Sequence, residues 1–168
     1  MNFEKIDKEI LDHVSSTDYN GGSMSYVVND NLQKKCIGID LWELGAVHRD
    51  NLQKERTKEN IENNNKSNSE IILIQGDSTS EEVIDLVDNS ITEPIDLLFI
   101  DGDHSYEGVK QDFTNYTKYV KSGGFILIDD YHKKYWPGIK KFVDNDIDTN
   151  KFQRVGWYND NEVLFIKT

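Results

Sequence analysis

The sequence predicts an α/β three-layer sandwich in which a mostly parallel sheet is closed by a C-terminal antiparallel hairpin. Three observations predict it. Short apolar runs alternate with amphipathic helical stretches along the chain. Successive runs end on an acid: Asp40, Asp77, Asp101 and Asp129. Two apolar segments, Phe152 to Trp157 and Val163 to Ile166, flank the turn-forming Tyr158-Asn159-Asp160-Asn161.

In chain order, Phe3, Ile6, Ile10, Leu11 and Val14 recur at helical spacing over residues 2–14. Asn20-Gly21-Gly22-Ser23 is a turn signal, and Met24 to Asn29 reads as a short helix. Cys36 to Leu41 is a buried strand, and residues from about Ala46 to Asn60 permit a helix. That helix dissolves into the polar tract Asn63 to Asn68, read as a surface loop. Ile71 to Asp77 is the next strand, and Ser78 to Ser80 before Glu81-Glu82 is a helix N-cap signature.

Ile95 to Ile100, interrupted only by Asp96, has the length of a strand buried on both faces and stops at Asp101-Gly102-Asp103-His104. Val109, Phe113, Tyr116 and Val120 then mark one face of a helix over Gly108 to Lys121. Gly123-Gly124 reads as a turn before the apolar run Phe125 to Ile128, which ends on Asp129-Asp130. Residues 95–130 therefore form a βαβ unit whose parallel strands bring Asp101 and Asp129/Asp130 to one edge. In open α/β sheets that edge is where ligands bind. Trp136-Pro137-Gly138 opens a last helix through Ile139, Phe142 and Val143.

A length of 168 residues suits one domain with a real core. A net charge of -12 argues against nucleic acid or an anionic membrane as partner, because phosphate would be repelled. The single Cys36 excludes an internal disulfide, points to a reducing compartment and reads as a buried core thiol. There is no apolar leader and no run long enough to span a membrane, so a cytoplasmic protein is expected.

Taken together, these residues resemble the class I S-adenosylmethionine-dependent methyltransferases, in particular the group that includes macrocin O-methyltransferase and cephalosporin-hydroxylase-like proteins. The resemblance is carried by Asn20-Gly21-Gly22-Ser23, Gly38-Ile39-Asp40, Gly76-Asp77-Ser78, Phe99 to Tyr106, Gly123-Gly124 and Asp129-Asp130-Tyr131. It covers roughly residues 19–168 and implies a Rossmann-like fold. It implies S-adenosylmethionine as cofactor, with Gly21, Gly22 and Ser23 beside the methionine moiety and Asp40 on the ribose. Asp77 and Ser78 would border the adenine, with Asp101 and Asp103 completing the set; Asp103 would orient the cofactor amine or His104.

By the same resemblance, Asp101, Asp129 and Asp130 would hold Mg²⁺, a cation that prefers such oxygen ligands. His104, with Asp101 beside it, would remove the proton of an acceptor hydroxyl, and His132 would line the pocket. The implied reaction is Mg-assisted O-methylation of a small hydroxylated molecule, and relatives that cover their site from a second subunit imply a homodimer. The family's first motif, Glu-x-Gly, is replaced here by Ser15, Ser16 and Thr17, which makes residues 1–18 an atypical or truncated part of a single 1–168 domain. Two alternatives stay open. One is a catalytically inactive relative serving as a binding or assembly module. The other is a phosphohydrolase of the haloacid dehalogenase type, suggested by a strand ending Asp-Gly-Asp and a later Asp-Asp pair.

Overall fold

The computed structural model describes residues 34–42, 53–132, 134–158 and 161–168. The chain divides into two compact units, Met1–Asp77 and Ser78–Thr168. The expected helices at 2–14 and from Met24, and the start of the one at 46–60, lie outside the described residues.

In the first unit, β1 (Lys35–Asp40) and β2 (Glu70–Gln75) pair in parallel, with Cys36 opposite Ile71 and Asp40 opposite Gln75. Cys36 is half-buried rather than fully enclosed as its apolar neighbours suggested. Helix α1 (Gln53–Asn64) runs on through Asn63 and Asn64, which the sequence assigned to a loop. The Asn64 amide donates to the Asn60 carbonyl at 2.8 Å and so stays within the helix. The turn begins one residue later. Asn65 accepts from the Ser69 N–H at 2.7 Å and donates to the Ser69 carbonyl at 2.8 Å, an exchange that a short amide side chain makes where the chain must reverse.

The second unit is built on a four-stranded sheet, β3 (Ile95–Ile100), β4 (Val120–Ile128), β5 (Phe152–Tyr158) and β6 (Glu162–Lys167), in the order β3-β4-β6-β5. Strands β3 and β4 are parallel, with Ile100 opposite Ile128, while β6 runs antiparallel to both β4 and β5. Helix α2 (Glu81–Ser90) starts at Ser80, whose hydroxyl accepts from the Val83 N–H at 3.3 Å. This is the cap the sequence signalled.

Helix α3 (Tyr106–Tyr116) begins two residues before its expected start and gives way to a 3₁₀ turn over Thr117–Tyr119. Helix α4 spans Pro137–Asn145, with proline in the first turn, where its missing N–H costs nothing.

Gly123 and Gly124 lie inside β4 rather than ahead of it. Gly123 has φ +79, and a Cβ on Gly124 would come within 2.7 Å of Val120 Cγ1 and 3.2 Å of the Asp96 carbonyl. The register shifts here, between the Ile95 and Leu97 pairings, so the glycines let β4 continue through a local irregularity.

The core of this unit gathers Ile100, Val109, Phe113, Ile126, Ile128, Ile139, Phe142, Phe152, Val163 and Phe165. Phe113 meets Phe142 and Phe152 edge-on at 5.4 and 4.9 Å. Each such side chain stabilises the fold by about 1.5–3 kcal/mol through burial. Ile126 and Ile128 belong to this cluster, and Leu127 between them is equally enclosed on the opposite face. That explains the uninterrupted apolar run. With parallel pairs, crossover helices and a closing hairpin, the architecture is the expected α/β, Rossmann-like one.

Candidate functional site

The parallel pairing of β3 and β4 carries one step past the strands, because the Asp129 N–H donates to the Ile100 carbonyl at 3.0 Å. Asp101 and Asp129-Asp130 therefore emerge side by side, as their positions in the βαβ unit required. Asp130 adopts φ +59, a left-handed conformation that aspartate tolerates better than most residues, and its N–H donates to Asp129 Oδ1 at 2.6 Å.

His104 reaches back across this edge. Its Nε2 lies 3.4 Å from Asp101 Oδ1 and 3.6 Å from Asp130 Oδ2. The Asp101 hydrogen bond raises the imidazole pKa above its ordinary 6.5; partial burial opposes this, and the charges of Asp130, Asp101 and Asp129 add to the rise. With Nε2–H held by carboxylates, Nδ1 is left as the accepting nitrogen. It has no protein hydrogen-bond partner among the described residues.

A residue the sequence reading placed only in a turn completes the cluster. Asn161, beside β6, donates from Nδ2 to Asp129 Oδ1 at 2.8 Å and to Asp130 Oδ1 at 2.9 Å. Its carbonyl also accepts the Tyr131 N–H at 2.8 Å, so the hairpin is stitched to the end of β4. The Tyr131 hydroxyl donates to Asp144 Oδ1 at 2.8 Å, and Lys140 and Arg154 reach the same carboxylate at 2.7 and 3.0 Å. Burial alone would raise the Asp144 pKa, but donors from Lys140, Tyr131 and Arg154 outweigh it and lower the value to about 2. Asn161, Asp144 and Arg154 lie far from the acids in sequence, and no local signal marks them.

The Asp101-Gly-Asp-His-Ser motif is shaped by close packing. A Cβ on Gly102 would come within 2.7 Å of Asp112 Oδ2, and one on Gly108 within 2.4 Å of Asp103 Oδ2. Asp103 itself accepts from the Ser105 N–H at 3.0 Å and the Ser105 hydroxyl at 2.6 Å, while Ser105 caps α3. Its hydrogen bonds thus serve the helix start, and none goes to His104. Ser78 donates to Asp112 Oδ1 at 2.7 Å, and its carbonyl accepts from the Tyr116 hydroxyl at 2.5 Å. His132 stacks edge-on against Tyr131 at 4.5 Å, with Trp157 at 6.4 Å.

In the first unit, Asp40 ends β1 and accepts from the Trp42 N–H at 2.9 Å, and Gly76 after β2 donates to the Asp40 carbonyl at 3.0 Å. Asp77 follows, exposed. Gly21, Gly22 and Ser23 lie outside the described residues.

Residues 19–131 match the family model described as a methyltransferase domain. The chain belongs to this methyltransferase-domain family. It is accordingly a class I, S-adenosylmethionine-dependent methyltransferase, and the phosphohydrolase alternative drawn from the sequence is not retained. A protein of Acanthamoeba polyphaga mimivirus is 35% identical over 166 residues, which is 93% of this chain and 72% of that protein. The mycinamicin VI 2″-O-methyltransferase of Micromonospora griseorubida is 34% identical over 68 residues, 40% of this chain and 17% of that enzyme. Among solved structures, a TDP-rhamnose 3′-O-methyltransferase of calicheamicin biosynthesis superposes with TM-score 0.62 at 14% identity. It covers 89% of this chain and 69% of the other. The O-methyltransferase NovP gives 0.59 at 18% identity, covering 96% and 77%. At such identities the likeness shows the fold.

Asp40 supplies a carboxylate beside the close Asp40–Gly76 backbone contact, the chemistry a ribose diol needs. The cation fits less well. Among the described residues no three His, Cys, Asp or Glu side chains come together in a group able to hold a metal ion. Asp101, Asp129 and Asp130 are adjacent, but His104 and Asn161 bridge them with N–H donors.

Proposed function

We propose that the methyltransferase methylates a hydroxyl oxygen of a small molecule, with His104 as general base. The observation that carries this reading is the placement of His104, held through Nε2 between Asp101 and Asp130 with Nδ1 left to accept. This is the logic of a carboxylate-oriented imidazole: the carboxylates fix the tautomer and stabilise the cation formed when the ring gains a proton. When bound, S-adenosylmethionine supplies a methyl carbon on a sulfonium; the acceptor oxygen bonds to that carbon as the carbon–sulfur bond breaks and sulfur keeps the electron pair. Asp40 and Asp77 would hold the nucleoside end. His104 Nδ1 takes the hydroxyl proton, and Asp101 keeps the ring turned toward it.

The sugar O-methyltransferase neighbours are consistent with a small hydroxylated acceptor. A Mg²⁺ ion drawing on Asp101, Asp129 and Asp130 is the assisted form of the same reaction. The neighbouring mycinamycin-pathway methyltransferase was solved with Mg, which favours it, while the Asn161 and His104 bridges oppose it.

The test has two stages. Calorimetric titration with S-adenosylmethionine should give saturable binding that His104→Gln leaves unchanged. Methyl transfer to hydroxylated acceptors, run with Mg²⁺ and with chelator, should then fall by about 10²–10⁴ in the variant. Full activity of His104→Gln would refute the base assignment, and activity unchanged by chelator would remove the metal.

A further inference from the structure

The segment Trp136-Pro137-Gly138 takes no part in the reaction as described, yet it is built against the base. The Trp136 ring lies 4.8 Å from the His104 ring, inclined at 58°. It remains 43% exposed, beside Tyr135 at 84%. The two neighbouring rings leave aromatic surface open to water beside His104.

Its position is specified by the two residues that follow. Pro137 restricts the backbone of the residue before it, and Trp136 takes φ -121, ψ 58 as the cap of α4. Gly138 lets the start of α4 lie directly on the start of α3: a Cβ there would meet the Tyr106 nitrogen at 2.4 Å and the Ser105 carbonyl carbon at 3.0 Å. Ser105 and Tyr106 directly follow His104. The glycine contact therefore brings the segment that carries the indole against the loop that carries the imidazole.

We propose that Trp136 is the acceptor platform of the methyltransferase, a hydroxylated ring laying an apolar face against its exposed surface with one hydroxyl directed to His104. The proposal rests on the reading of His104 as the base. A ring suits the site better than a flexible chain, because an indole offers a rigid π-face that binds flat apolar surface without ordering many rotors. The acidic edge beside it accepts hydrogen bonds from the remaining hydroxyls. The indole also limits the imidazole's rotation, so Trp136 positions the base as well as the acceptor.

The experiment uses the full chain labelled with ¹⁵N, in which three tryptophans give three indole N–H resonances. Trp136→Phe assigns the relevant one. Catechol and methyl α-L-rhamnopyranoside serve as ring probes and glycerol as the flexible control. The Trp136 resonance should move saturably with either ring probe and stay in place with glycerol. Trp136→Ala should weaken ring-probe binding about tenfold, while Trp136→Phe retains most of it. A Trp136 resonance unmoved by both rings, or equal affinity in Trp136→Ala, would overturn the proposal. Calorimetry with S-adenosylmethionine, run on the same samples, reads the functional assignment separately. Absent cofactor binding refutes that assignment and leaves the ring result standing on its own, whereas intact cofactor binding with an unmoved Trp136 refutes only the platform.

Discussion

Replacing Asn161 by alanine tests whether the acid pair is held together by the hairpin. The substitution removes two N–H donations, 2.8 Å to Asp129 and 2.9 Å to Asp130, and leaves the Asn161 carbonyl to accept from Tyr131. A hydrogen bond to a charged acceptor contributes about 1.5–3 kcal/mol when made. Both bonds come from one amino group at a partly exposed site, so solvent screening reduces the combined loss to about 2–3 kcal/mol. For a chain of this length that corresponds to a fall in Tm of roughly 5–10 °C.

The donors also offset repulsion between two neighbouring carboxylates. Thermal unfolding followed by circular dichroism at pH 7 measures the loss. Asn161→Asp, which adds a third negative charge in place of a donor, should be more destabilised than alanine at pH 7. A Tm within 2 °C of the parent would refute the bridging role.

Four further outcomes follow from the same geometry. Since the neutral imidazole is the base and its pKa is raised, the methyl-transfer rate should climb with pH through an inflection above 6.5, and the pH profile should lose that limb in His104→Gln. The same raised pKa makes the His104 contribution to stability full below pH 6.5 and lost as pH rises through the folded value, which a Tm–pH comparison of parent and His104→Gln reads directly. Asp144 behaves oppositely: its pKa of about 2, against 3.8 unperturbed, contributes stability above pH 3.8 that disappears as pH falls toward 2. Its carboxylate is a third exposed, so Asp144→Asn should cost only about 1 kcal/mol at pH 7 and nothing below pH 2, as read by denaturant titration. Finally, Gly138→Ala drives a methyl into the Tyr106 backbone nitrogen and should lower stability by about 1–3 kcal/mol in the same assay; an unchanged midpoint would refute the close α3–α4 contact.

The sequence by itself determined the α/β class, the strand-and-helix order from Cys36 onward, the Ser80 cap and the meeting of Asp101 with Asp129 and Asp130. Each of these follows from local rules. A six-residue apolar run bounded by turn signals is the length of a strand rather than a helix, and a parallel crossover returns successive strand ends to one edge. Among the described residues Ile95–Ile100 stands at the end of its sheet and is partly buried rather than enclosed on both faces. The sequence also supplied His104, which stands three residues from Asp101 on the same loop.

What it could not supply was every contact made across the fold. Asn161 lies 31 and 32 positions from the two acids it bridges. The sequence reading gave Asp103 to the cofactor amine or His104, and only the fold shows that it accepts from the N–H and hydroxyl of Ser105, the N-cap of α3. Gly123 and Gly124 read as a turn, since a glycine pair signals reversal locally; only the approach of Asp96 and Val120 shows that they let β4 run on. Trp136 became interpretable only when Gly138 was seen to press α4 onto the backbone beside His104. Periodicity and turn chemistry are encoded over a few neighbouring residues, whereas the partners that orient the acids and the base are chosen by register and helix packing, which exist only once the chain has folded.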